Sequence, residues 1–356
     1  MNTAKLNQIL SVIVLFLVAA SAFAYRDSVT RAERFERGQK FLQNLNPDEV
    51  AQISVQKGDD EVVLKRQDDR FIVTSANGYP AANESVNRFI RDVLDLGLEK
   101  RVGSGDGLQK ELGFQDGGEG DAGEEGGEVI EVAFLNDSEK DMVRFAVSEG
   151  GESSGDASGS YVMRKDGDDQ GIYLTSSRVY LRTQADDFLK KDIVDVKNED
   201  VIRVVSQNWE VNDEEGTARL AGLPAGKKES SKVDQAKSVL SSLRFSKHYL
   251  ANAPEVMGLL WDTTVQVHLN DDSFYVVSLA QSGEKHYLRI TADHQAQQLS
   301  IARDADDDEV KETAETLKRL SEIDEFNSFH QAWVYEVTEW TAKKFRVPRD
   351  EMIEDS

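Results

Sequence analysis

AQISVQKGDDEVVLKRQDDRFIVTSANGYPAANESVNRFIRDVLDLGL, residues 51–98, holds two hydrophobic periods in succession, and their order decides the fold. Apolar and polar residues first alternate in three short runs, 53–55, 62–64 and 71–73, parted by Gly-Asp and Asp-Asp turns. A period of two belongs to strands with one buried face. After Pro80 the period lengthens. Val86, Phe89, Ile90, Val93 and Leu94 lie at i, i+3, i+4, i+7 and i+8, a single apolar stripe on a helix. Asn83 is read as its N-cap and Gly97 as its stop.

The same order of signals returns in VIRVVSQNWEVNDEEGTARLAGLPAGKKESSKVDQAKSVLSSLRF, residues 201–245. Strands are expected at 202–205, 209–211 and 218–220, then a turn at Pro224. A helix follows with Val233, Ala236, Leu240 and Leu243 inward, started by a Ser231–Asp234 capping box. Val86 and Val233, like Leu96 and Leu243, stand 147 positions apart. Further on, IEVAFLNDS (130–138) is matched by VQVHLNDDS (265–273), and MVRFAV (142–147) by FYVVSL (274–279). GIYLTSSRVYLRTQADDFLKK (171–191) has its counterpart in WVYEVTEWTAKKFRVPRDEMI (333–353), a strand entering a terminal helix. Four such pairs in one order indicate an internal repeat. The expected class is α+β: two tandem related modules, 44–197 and 198–356, of antiparallel strands with packed helices.

The modules differ in their inserts. The first carries QDGGEGDAGEEGGE (115–128) and SEGGESSGDASGS (148–160), too poor in apolar residues to bury anything and read as disordered loops. The second carries DADDDEVKETAETLKRLSEIDEF (304–326), a helix with Val310, Leu317, Leu320 and Ile323 available to pack.

Ahead of both lies an apolar run, 6–25, about as long as the ~20 residues that one membrane-spanning helix needs. It is read as a retained signal-anchor; Ala22-Phe23-Ala24 keeps open the alternative of a cleaved signal peptide. Either reading exports the rest, although Arg26, Arg31, Arg34, Arg37 and Lys40 behind the run oppose that orientation by charge. A charged stalk, 26–43, would follow, with a short helix expected across 28–45. The localisation expected is the inner membrane, single-pass, with the body in the periplasm. A net charge of −24 argues against a nucleic-acid partner, whose phosphates need clustered Lys and Arg. The absence of cysteine rules out disulfides, thiol catalysis and Cys-ligated metals.

Several stretches together carry a family likeness: GQKFLQNLNPDEVAQISV (38–55), YPAANESVNRFIRDVLDL (79–96), ELGF (111–114) and YVMRKDGDDQGIYL (161–174). With Phe41 and Leu42 before Val50-x-x-Ile53, Pro80 before the helix, Leu112-Gly113-Phe114, and Tyr161 with Tyr173, the chain resembles the bacterial domain-of-unknown-function 4340 family. The likeness covers nearly the whole exported body, but its motifs are loose, and the acidic insert replaces the family's short segment after Leu112-Gly113. It implies an N-terminal membrane helix and an envelope protein considered alongside gliding-type ABC transporter auxiliary subunits. It brings no assigned activity and no catalytic residues.

The local chemical patterns each have a plainer reading. Gly151-Glu152-Ser153-Ser154-Gly155 matches the nucleophile elbow, which needs strand, turn and helix; here a strand is expected after it. Ser54/Lys57 and Ser282/Lys285 match S-x-x-K, but on strands and turns. Gly103–Gly107 lacks the spacing of a phosphate loop. Asp304, Asp306, Asp308 and Glu315 fit calcium-loop positions 1, 3, 5 and 12, with Glu309 where that loop requires Gly. His248, His268, His286, His294 and His330 show no metal-ligand spacing, and Trp209, Trp261, Trp333 and Trp340 suit a core or an aromatic surface. No catalytic residue, metal ligand or cofactor is assigned.

The function expected is therefore that of a membrane-tethered, extracytoplasmic, non-enzymatic interaction protein. Its partner would be an envelope protein, such as an ABC-type transporter subunit or part of a gliding-like complex. The alternative is a periplasmic ligand- or cation-binding protein.

Overall fold

The computed structural model describes residues 38–43, 45–114, 129–148, 159–166, 171–295 and 307–355. The chain is mixed α+β, mostly antiparallel strands with few helices, and divides between Lys190 and Lys191 into two compact units. The apolar run 6–25, most of the stalk and the acidic inserts lie outside the described residues.

The first unit runs β1 (Gln52–Lys57), β2 (Asp60–Gln67), β3 (Arg70–Val73), β4 (Tyr79–Pro80), α1 (Asn83–Leu94), β5 (Leu98–Gly103), α2 (Asp106–Glu111), β6 (Val129–Leu135), β7 (Asp141–Ser148), β8 (Tyr161–Arg164) and β9 (Ile172–Thr175). Its strands form one sheet in the order β4-β3-β2-β1-β6-β7-β8-β9-β5. Asp68 and Asp69, at φ 47° and 63°, make the two-residue β2–β3 turn whose twist matches that of the strands. Alternation then puts Ile53, Val55, Leu64, Val132, Phe134 and Phe145, all fully buried, on one face. The stripe of α1 closes that face, with Phe89 5.5 Å from Phe188 and 6.4 Å from Phe134. The incoming chain is pinned as well. Lys40 bridges Gly97, and Phe41 meets Phe145 edge-on at 5.5 Å, so residues 38–43 do not form the helix expected there.

The second unit comprises β10 (Asp192–Val194), β11 (Val201–Ser206), β12 (Glu210–Glu214), β13 (Thr217–Leu220), β14 (Lys227–Glu229), α3 (Ser231–Lys237), β15 (Leu243–Arg244), β16 (Lys247–Leu250), β17 (Trp261–Leu269), β18 (Ser273–Ser282), β19 (Lys285–His294), α4 (Asp307–His330), β20 (Trp333–Val337), α5 (Glu339–Phe345) and β21 (Ile353–Asp355). The main sheet has the order β13-β12-β11-β17-β18-β19-β20-β16. Its path is that of the first sheet from β3 onward. A three-strand meander leads to a helix, the chain crosses to the outermost strand, and a four-strand meander returns between them. Residues 192–194 belong here because β10 pairs with β15.

Local details depart from the sequence reading. Helix α1 begins at Asn83 itself, with Ala82 as N-cap, and it ends at Leu94, before Gly97, which the bridge to Lys40 occupies. Ser230, not Ser231, caps α3, its Oγ accepting from the Lys232 N–H at 3.2 Å. Helix α3 stops at Lys237, so Leu240 and Leu243 are buried from a turn and from β15. After β9 the described chain forms only a 3-10 turn at Ala185–Asp187, whereas β20 does lead into a terminal helix, α5. In α4 only the C-terminal part packs: Ile323 is buried, while Val310 and Leu317 are exposed. Arg319 pairs with Asp271 at the β17–β18 turn, so the turns before it run past the end of the sheet.

Candidate functional site

Ser54 and Lys57 lie three apart on β1 and therefore on opposite faces, and the Ser54 hydroxyl donates to Glu61 at 2.8 Å. Ser282 and Lys285 do stand opposite each other across the β18–β19 hairpin, but the lysine ammonium is directed to Glu336 at 3.3 Å. Residues 151–155 lie outside the described residues. The next described element after them is a strand, β8, which pairs antiparallel with β7.

Gly103 ends β5, and a Cβ there would meet Leu108 Cδ2 at 2.9 Å. Its smallness lets α2 fold back so that Leu108, Leu112 and Phe114 cover Ala146, Tyr161, Met163, Ile172 and Leu174 on the second face of the sheet. Gly103 thus serves packing, and Gly105, at φ 109°, the turn into α2. Asp304 and Asp306, and the Asp308 side chain, lie outside the described residues. Residues 307–315 are helical, whereas a calcium loop needs a sharp turn at its sixth position, Glu309 here.

Four of the five histidines are buried, each against an aromatic ring or a strand. His330 Nδ1 and the Tyr335 hydroxyl share a hydrogen bond of 2.7 Å beside Phe326, and His248 meets Trp333 edge-on at 5.2 Å. His268 stacks on Phe274 at 5.1 Å, and the Gln295 amide reaches its Nδ1 at 2.9 Å. Burial, with Arg203 nearby, holds the His268 imidazole below its ordinary value. Among the described residues no group of three or more His, Asp or Glu side chains could hold a metal ion.

The tryptophans divide in two. Trp209 is buried, its indole N–H donating to the Val347 carbonyl at 2.8 Å, and Trp333 is buried in the aromatic cluster. Trp261 is half-buried under the Arg289 guanidinium, 4.5 Å from its ring, and Trp340 is 68% exposed with the Lys344 ammonium 3.6 Å above it. Leu250, Met257 and Leu260 of the second unit are exposed as well. Sequence reasoning found the tryptophans and passed over these three; the signal for Met257 and Leu260 was an apolar run, VMGLLW, in a loop, and Leu250 ends strand β16.

Among the described residues no helix is long and apolar enough to cross a membrane. A family model described as a domain of unknown function (DUF4340) matches residues 72–259. No curated protein and no solved structure is similar enough to match.

Proposed function

This chain belongs to the domain-of-unknown-function (DUF4340) family, and from that premise we propose that it is a non-enzymatic, membrane-tethered interaction protein of the bacterial envelope. Residues 6–25 would hold it in the inner membrane as a single-pass anchor, with two related copies of one strand-and-helix module in the periplasm. Its partner would be another envelope protein, an ABC-type transporter subunit or a component of a gliding-like complex. The observation that carries this reading is the outward apolar surface of the second unit, with Met257 68% and Leu260 82% exposed. A chain of net charge −24 gains nothing for solubility from such side chains, and apolar surface left facing water commonly marks a contact site. The matching strand order of the two sheets supports the reading of two related copies.

Two measurements test it. A phosphatase fused after Ser356 is expected to be active, whereas a fluorescent reporter that matures in the cytosol would refute the location. In-cell cross-linking through a photoreactive residue at position 260 is expected to trap one defined envelope protein. Recovery of the chain alone, under conditions where a known envelope complex is trapped, would refute the interaction role.

A further inference from the structure

In the first unit the entering chain and the exposed apolar side chains meet at one edge of the sheet. Strand β5 is the last in strand order, and its outer side is covered at its start. There the Gly38 N–H donates to the Leu98 carbonyl at 2.8 Å, and the Leu98 N–H to the Gln39 carbonyl at 2.9 Å. Beyond Leu98, among the described residues, no strand pairs with that side. The register with β9 slips twice, between Leu98 and Lys100 and between Arg101 and Gly103. Such irregularities re-aim side chains, and Lys100, Arg101 and Val102 are exposed in succession.

A loop, 176–182, lies beside the start of this strand, because the Ser176 N–H donates to the Gly97 carbonyl at 2.9 Å. Val179 is buried, its N–H donating to Ser160 Oγ at 2.9 Å, which leaves Arg178 and Tyr180 outside. Tyr180 is 74% exposed and Val102 37%, and no other large apolar or aromatic side chain is exposed among the described residues of this unit. Each has cations two positions away: Lys100 before Val102, Arg178 and Arg182 around Tyr180. Among the described residues none of these three pairs with a carboxylate, although Lys65, Arg88 and Arg144 of the same unit each hold one. Of the carboxylates at this edge, Asp95 is taken by Lys40 at 2.8 Å, and Glu99 is half-buried.

We propose that this edge of the first unit lies on an anionic lipid surface at the level of the headgroups, an inference that depends on the membrane tether proposed above. Residues 26–37 alone separate the apolar run from Gly38, at most about 45 Å of extended chain. A bilayer that holds the run is therefore within reach of the edge where the chain enters. Lipid phosphates attract Lys100, Arg178 and Arg182. The net charge of −24 does not prevent this, because charges beyond about 10 Å are largely screened and the local ones decide. Tyr180, an apolar ring with a polar tip, suits the boundary between headgroup and hydrocarbon. The edge stays at that boundary, since hydrocarbon would leave the free N–H and C=O groups of β5 without partners, whereas water and phosphate satisfy them. A partner protein fits less well, because Val102 and Tyr180 are too few to form the apolar core of an interface.

The chain has no cysteine, so single dye labels can sit beside the contact without replacing it. The test uses the full chain reconstituted into vesicles, labelled at Ser104→Cys or Ser177→Cys, both exposed positions. Arg70→Cys is the control, seven strands or ~34 Å from β5 across the same sheet. With phosphatidylglycerol and a lipid bearing a nitroxide on its headgroup, quenching at positions 104 and 177 is expected to exceed that at 70 about threefold. In phosphatidylcholine, or in about 1 M salt, the difference is expected to fall below about 1.5-fold. Lys100→Glu with Arg178→Glu and Arg182→Glu is expected to abolish it, and Tyr180→Ser alone to halve it. Equal quenching at all three positions, quenching at only one of the two, or the same difference in phosphatidylcholine would overturn the proposal. A chain that floats with the vesicles but shows no difference removes this surface and leaves the tether. A chain that does not float removes both.

Discussion

Leu64 and Ile90 in the first unit, and Asp213 and Lys237 in the second, occupy matching places. The register pairs Val55 with Val62 and Val204 with Val211, and two residues further along lie Leu64 and Asp213. On the helices Ile90 follows Val86 as Lys237 follows Val233. One unit fills this place with two buried aliphatic side chains, the other with an ion pair whose side chains are 11% and 21% exposed. The hydrogen bond from Lys237 lowers the Asp213 carboxyl below its ordinary value. Both solutions leave the backbone path unchanged, which teaches that the path asks for matched partners between helix and sheet and not for one chemistry. The asymmetry lies in the failure modes. Losing an aliphatic group leaves a cavity, whereas losing one member of an ion pair leaves a poorly solvated charge.

The inserts separate the units differently. The first lengthens the β7–β8 connection, where the second turns tightly between β18 and β19 at Gly283. The second instead places α4 between β19 and β20, and clamps it to β19 through Asn327, whose side chain donates to the Ala292 carbonyl and accepts from its N–H, both at 2.8 Å.

Removing a fully packed ring from helix α1 should separate the units most. Phe89 is 1% exposed, and its counterpart is Ala236. Phe89→Ala is expected to destabilise the first unit by about 3–5 kcal/mol. Hydrogen exchange on the intact chain should show faster opening in residues 45–190 with 191–355 unchanged. Lys237→Ala should cost the second unit about 2 kcal/mol, less than a fully buried pair because both groups retain some water. Asp213→Leu with Lys237→Ile, which copies the first unit, should restore stability to within about 1 kcal/mol of the parent in urea unfolding. If the double variant is no better than the single, the matching of the two places is wrong. Asn327→Ala removes two hydrogen bonds and should cost about 1–2 kcal/mol, seen as faster exchange along α4 alone.

The smallest effect is set by pH. All five histidines belong to the second unit. The His268 imidazole titrates lower when folded than when unfolded, so below the unfolded value of about 6.5 the unfolded chain binds more protons. Stability of the second unit should therefore fall as pH drops from about 6.5 and level off once the folded imidazole is protonated. Arg203, Glu210, Phe274 and Gln295 surround the ring and are unchanged in His268→Gln, which should flatten the slope. The first unit has no histidine and should stay flat over the same range.

Alternation at 53–55 and 62–64 and the stripe from Val86 to Val93 were enough to read strands, helix and their order, because each pattern reports one element against one buried face. The spacing of 147 residues extended that reading to the second unit. Other features were not legible in the residues alone. The sequence could not place the cap of α3 at Ser230, whose hydroxyl donates to the Glu351 carbonyl at 2.6 Å, 121 residues away. Nor could it show that α4 overhangs its sheet, since Leu317 and Ile323 look alike in periodicity and differ only in whether a strand lies beneath them. The apolar run VMGLLW is the sharpest case. Its residues look alike in polarity, but the fold buries Val256 and leaves Met257 and Leu260 exposed, since a loop lying on a sheet has only one side to bury.

What the sequence alone determined was the α+β class and the repeated order of elements, because these follow from local period and spacing. Tertiary structure alone decided which strands became edges, which histidines were packed away and which apolar side chains were left facing water. Those outcomes depend on contacts between residues far apart in the chain, and no window of sequence contains both partners.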